Sequence, residues 1–134
     1  MTELDSFNDK LLEGTSRSFY LTLKRLPKSV KGQIGLLYLL ARISDTIADS
    51  GSSGGEDLLE LLEDYNNRAQ GHSNYMPDFS NLSDVQENPA EGLLLRGAHG
   101  PIELLEEASA VDQELIRRCL DIIISGQRML SLIH

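Results

Sequence analysis

Apolar residues recur along the chain at helical intervals. Leu4, Phe7, Leu11, Thr15 and Phe19 fall on one stripe and predict a first helix from about Leu4 into the low twenties, with Pro27 ending it or starting the next. A second helix is predicted from Pro27 to Asp49, with the proline near its first turn, where a missing N–H costs nothing. Its apolar residues Val30, Ile34, Leu36, Leu37, Leu39, Leu40, Ile43 and Ile47 lie nearly all round it, the pattern of a helix in the middle of a bundle. The run Gly51, Ser52, Ser53, Gly54, Gly55 stops it. No strand precedes that run and no Gly-Lys-Ser/Thr follows, so it reads as a connection and not as a phosphate cradle.

A third helix is expected from about Glu56 to Gln70, with Leu58, Leu61, Leu62, Tyr65 and Ala69 on one face, the clearest amphipathic signal in the chain. Residues 71–89, rich in Gly, Ser, Asn, Asp and Pro, hold no sustained period and read as an exposed loop with a short turn of helix. Helical pattern resumes near Ala90, breaks at Gly97 to Pro101, and continues to Ala108. A last long helix covers Val111 to Leu132. Neither a repeat nor a linker divides the chain, which reads as a single partial domain over residues 1–134.

One feature of the second helix conflicts with its apolar surroundings. Tyr38, Arg42, Asp45 and Asp49 stand at i, i+4, i+7 and i+11 and share a narrow stripe, so four polar groups are expected to point into core. Burying unpaired charge is costly, so the stripe must either be internally paired, through Arg42–Asp45 or Arg42–Asp49, or line a wet, ligand-filled cavity. One arginine leaves a surplus carboxylate, and a divalent cation would relieve the repulsion between the two aspartates. Mg²⁺ typically takes one or two carboxylates plus substrate phosphates. The spacing alone says little, because Asp5 with Asp9 and Glu60 with Asp64 repeat it, and these read as a helix-start charge and a solvated face.

Composition narrows the classes. The chain has 134 residues, 40% hydrophobic and 25% charged but only 5% aromatic, which suits one all-α domain or half of a larger one. A formal charge of −9 would repel a phosphate backbone and argues against a nucleic-acid partner. Cys119 stands alone, and His72, His99 and His134 form no ligand cluster, so neither a disulfide framework nor structural zinc is expected. The acidic N-terminus lacks a secretory pattern, and a cytoplasmic location is expected. The most apolar stretch, Ile34 to Ala41, lies between Lys31 and Arg42 and is far shorter than the roughly 20 residues of a spanning helix.

Three features in order now become recognisable: Ser16-Arg17-Ser18-Phe19, Leu26-Pro27, and Tyr38-x-x-x-Arg42-x-x-Asp45-Thr46-Ile47-Ala48-Asp49. Together they resemble the N-terminal half of a squalene/phytoene synthase, and Ser125-Gly126-Gln127-Arg128 on the last helix is similar more loosely. The resemblance implies an all-α isoprenoid synthase bundle that joins two prenyl diphosphates, such as farnesyl diphosphate, head to head through a cyclopropyl intermediate. It implies Asp45 and Asp49 as Mg²⁺ ligands, Arg42 as a fixed positive charge, and Tyr38 between phosphate and carbocation, these four being the catalytic set. It implies Ser16 and Ser18 as hydroxyl donors to phosphate, with Phe19 and Leu23 lining the prenyl pocket. Taken residue by residue, Ser16 and Ser18 also fit backbone or solvent bonding, Phe19 and Tyr38 fit core positions, and His99 reads as an ordinary residue.

The resemblance further implies a second acidic motif on a later helix, in a catalytic domain about twice this long. No second Asp-x-x-x-Asp follows Asp49. Glu103 and Glu107 have the spacing but read as solvated beside Leu104 and Leu105. Where relatives often carry an acidic residue after the Gly-Gln pair, this chain has Met129-Leu130-Ser131-Leu132, and the apolar pattern from Ile122 to Ile133 reads like that of a truncated or split product. With one acidic motif the chain alone is expected to bind Mg-diphosphate weakly and to be a poor catalyst or none. Exposed apolar faces are expected to drive self-association or pairing with a complementary C-terminal half. NADPH separates reductive squalene formation from phytoene-type release, and no motif here decides between them. Lipid products suggest peripheral membrane contact. The alternative is a non-catalytic helical module that keeps the fold and diphosphate binding.

Overall fold

A computed structural model describes residues 24–25, 27–50 and 57–133. The predicted first helix, the Gly51–Gly55 run and the proposed substrate residues Ser16, Ser18, Phe19 and Leu23 lie outside them. The described residues form six helices: α1 Lys28–Asp49, α2 Leu58–Ala69, α3 Ser80–Asp84, α4 Pro89–Arg96, α5 His99–Glu107 and α6 Ala110–Ile133.

Local chemistry sets the helix ends. Pro27 immediately precedes α1. Asp57 caps α2 by accepting the Glu60 N–H at 3.1 Å, and Asn88 caps α4 by accepting the Ala90 N–H at 2.9 Å, with Pro89 in its first turn. The predicted break at Gly97 to Pro101 narrows to Gly97 and Ala98. Pro101 lies in the first turn of α5, where its absent N–H forfeits no helical bond. Gly71 ends α2 with a left-handed φ of 81°. There the Arg117 Nε–H of α6 donates to the Ala69 carbonyl at 2.8 Å, and the Gln70 side chain donates to the Arg117 carbonyl at 2.8 Å.

Helix α1 runs through the centre and packs against α2, α4, α5 and α6. Its Leu39, Leu40, Ile43 and Ile47 are fully buried, against Leu62 and Tyr65 of α2, Leu94 of α4, Leu105 of α5 and Leu120 and Ile124 of α6. Two buried hydroxyls on α1 are satisfied within the helix: Ser44 donates to the Ala41 carbonyl at 2.7 Å and Thr46 to the Arg42 carbonyl at 2.9 Å. Hydrogen bonds from Gln33 to Asp112 (2.8 Å) and from Gln127 to Asp45 (2.7 Å) join early to early and late to late residues, so α1 and α6 run parallel.

The segment 71–89 is less exposed than its composition predicts. Its aperiodic apolar residues Pro77, Phe79 and Leu82 are buried as separate plugs. Phe79 meets Tyr65 edge to face, with ring centroids 6.3 Å apart and planes at 68°. The Tyr65 hydroxyl donates to the Leu40 carbonyl at 2.8 Å, and burial pushes its phenol pKa up, so it stays neutral. Tyr65→Phe removes one buried donor while leaving a carbonyl inside a helix. Urea unfolding should show a loss of about 1 kcal/mol with an unchanged m-value. Among the described residues no helix is long and apolar enough to cross a membrane.

Candidate functional site

The polar stripe of α1 lines an open cleft of about 270 Å³, walled by Tyr38, Ala41, Arg42 and Asp45 of α1 and by Ile123 of α6. This corrects the expectation that the stripe points into core. At 100° per residue the stripe lies about 145° round α1 from the buried row Leu36, Leu39, Leu40, Ile43 and Ile47. The apolar residues that made α1 look buried all round include Val30 and Ile34, which are 39% and 38% exposed. Tyr38 and Arg42 are half-buried at the cleft, and Asp49 is exposed as the last residue of the helix, one turn beyond it.

Both readings of the stripe have a counterpart in the geometry. An Arg42–Asp45 ion pair exists, from Nη1 to Oδ2 at 3.3 Å, and the other terminal nitrogen of Arg42 pairs with the Glu91 carboxylate of α4. The second Asp45 oxygen accepts from Gln127 Nε2 at 2.7 Å. Arg42 Nε and Gln127 Oε1 are buried without a hydrogen-bond partner, so this network has unused polar capacity on both of its flanks. The side chains stand 28% exposed for Arg42, 48% for Asp45 and 20% for Glu91, so the charges are partly desolvated yet open to a ligand.

Carboxylates outnumber cations along the stripe. One guanidinium faces Asp45 and Glu91, with Asp49 following on the same stripe. Asp49 sits at the negative end of the helix dipole, and no basic residue occupies the last turn of α1 to offset it. Among the described residues no group of three or more His, Cys, Asp or Glu side chains could hold a metal. Asp45 is the one carboxylate that lines the cleft, so these residues make no cage supplied by protein alone.

Other features fall where expected, with exceptions. Glu103 and Glu107 are exposed, as are Met129 and Leu130. Asn74 and Asp78 also stand four residues apart, but in irregular chain ahead of α3, where that spacing sets no common face. Sequence patterns did not single out Glu91 or Ile123. Glu91 lies 49 residues from Arg42, in a helix whose own periodicity marks it only as polar, and no local signal could have found it.

A family model described as squalene/phytoene synthase matches residues 12–130. No curated protein and no solved structure matches the chain.

Proposed function

The chain belongs to the squalene/phytoene synthase family and shares its helical isoprenoid synthase fold, and from that premise we propose that the α1 stripe is a Mg²⁺-dependent prenyl diphosphate site in a head-to-head prenyltransferase. The observation that carries the reading is the meeting of Tyr38, Arg42 and Asp45 in one cleft, with Asp49 next on the same stripe. When bound, Mg²⁺ would link the Asp45 and Asp49 carboxylates to diphosphate oxygens and offset the charge of the leaving group. Arg42 adds a positive charge held between Asp45 and Glu91. Tyr38 presents a ring beside it, where a developing carbocation would be stabilised. Ser16, Ser18, Phe19 and Leu23 complete the proposed substrate contacts on the strength of the family motif alone.

A second reading, a helical module that binds diphosphate without turning it over, draws on the donor count: one acidic motif, with no group of three metal-ligating side chains among the described residues. Peripheral membrane contact, NADPH use and a cytoplasmic location stay proposals of the same kind. So does pairing with a complementary helical half or a second copy, which is supported by the exposed apolar row Val111, Leu115, Ile122 and Met129 on α6.

The test is calorimetric binding of a non-hydrolysable farnesyl diphosphate analogue, with and without Mg²⁺, to the chain and to Asp45→Ala and Asp49→Ala. Binding that requires Mg²⁺ and disappears in both variants is expected, and unaltered binding in both variants would refute the site. Farnesyl diphosphate supplied to the same preparation separates the two readings: product marks the transferase, bound substrate without product the module.

A further inference from the structure

We propose that the exposed apolar face of α6 pairs with the same face of a second copy of this chain, the two helices running antiparallel about an axis at the level of Leu120. This commits the pairing raised above to one partner and one geometry, and it stands independently of the diphosphate-site reading.

Three observations carry it. First, the face is continuous. Val111, Leu115, Ile122 and Met129 are 67%, 56%, 72% and 64% exposed and fall within about 40° of one another on α6, opposite its buried row Ile116, Leu120 and Ile124. Monomeric chains rarely leave such a contiguous stripe bare. Second, the spacing is that of a helix pair. Val111, Leu115, Arg118, Ile122, Ser125 and Met129 follow one another at alternating steps of four and three residues, the repeat of two helices wound about each other. Third, the charges select the partner and its direction. Arg118 is 74% exposed, and its ion pair with Glu114 is long, at 3.8 Å. Asp121 is exposed, accepts from Asn66 Nδ2 at 3.0 Å and forms no ion pair among the described residues. In a parallel pair Arg118 would meet its own copy in the seam, and the like charges would repel. In an antiparallel pair Val111 lies opposite Met129, Leu115 opposite Ser125 and Arg118 opposite Ile122 of the second copy. Each Arg118 then comes level with the second copy's Asp121, and each Glu114 with the second copy's Arg128, so the pattern is self-complementary.

Cys119 reports on the direction. It is exposed and flanks the seam, so an antiparallel pair brings both thiols to one side of the axis, whereas a parallel pair sets them on opposite sides. Light scattering of the full chain over a micromolar concentration series should give the mass of two chains, and a short thiol-to-thiol crosslinker should join the two Cys119 side chains. Cys119→Ser should give no crosslinked product. Ile122→Asp should raise the dimer dissociation constant by more than about tenfold, because it sets two carboxylates in an apolar seam. Leu93→Asp, at a 50% exposed residue of α4, should dimerise like the parent chain. Arg118→Asp and Asp121→Arg should each weaken the dimer, and the double variant should regain it, a rescue that general destabilisation would not give. Thermal melts identify any variant that fails to fold, and the crosslink in the parent chain needs no variant. A monomer at every concentration would overturn the proposal, including one that binds phosphatidylcholine vesicles or a separate helical polypeptide through this face. So would a dimer that gives no Cys119 crosslink, or one that Ile122→Asp leaves unchanged.

Discussion

Ile43→Ala should remove about 2–5 kcal/mol of stability, a large part of the total for a domain of this size. Ile43 is fully buried midway along α1, the helix against which α2, α4, α5 and α6 pack. Deleting its outer methyl groups forfeits their transfer free energy and leaves a cavity that rigid helices on several sides cannot close. Ile34→Ala on the same helix is the matched control. At 38% exposure Ile34 faces partly into solvent, and its truncation should cost under about 1 kcal/mol. Urea unfolding of both variants checks the contrast. Equal losses would mean that α1 is not the centre of the packing. The consequence reaches function, because the helix that organises the core on one face carries Tyr38, Arg42 and Asp45 on the other. A cavity at Ile43 should therefore loosen the cleft as well as lower stability.

The helices were legible wherever one face repeated over several turns. The stripe Leu58, Leu61, Leu62, Tyr65, Ala69 announced α2, and Leu62, Tyr65 and Ala69 are its buried residues. The lengths of α1 and α6 also followed from periodicity, within a residue or two. What could not be read was which side of α1 meets the bundle. Val30, Ile34 and Leu37 widen its apolar arc until hydropathy alone no longer points in one direction, and only the placement of α6 and α2 resolves it. The plugs Phe79 and Leu82 were missed for a related reason, since Phe79 stands in irregular chain and Leu82 in the five-residue α3, too short for a period to reveal it. The site divides in the same way. Tyr38, Arg42, Asp45 and Asp49 were visible because they share one helix. Glu91 and the Gln127–Asp45 bond were not, because tertiary packing brings them in from 49 and 82 residues away.

Arg42→Gln should move two affinities in opposite directions. The guanidinium faces carboxylates from two helices, Asp45 and Glu91. Its positive charge therefore opposes a metal cation and favours a diphosphate. Glutamine removes the charge and leaves the Asp45 and Glu91 carboxylates without their cationic partner, so Mn²⁺ or Mg²⁺ added alone should bind more tightly. The prenyl diphosphate analogue should bind more weakly, by roughly 10–100-fold, the scale of one lost charge-assisted hydrogen bond. Calorimetry with metal alone and with analogue at saturating metal separates the two effects. If Arg42 served only as a strut between α1 and α4, both affinities would fall together with the melting temperature. If it lay outside the site, neither would move. Opposite shifts require a guanidinium that shares its cleft with both the cation and the diphosphate, as the proposed site demands of the Arg42 that pairs with Asp45 and Glu91.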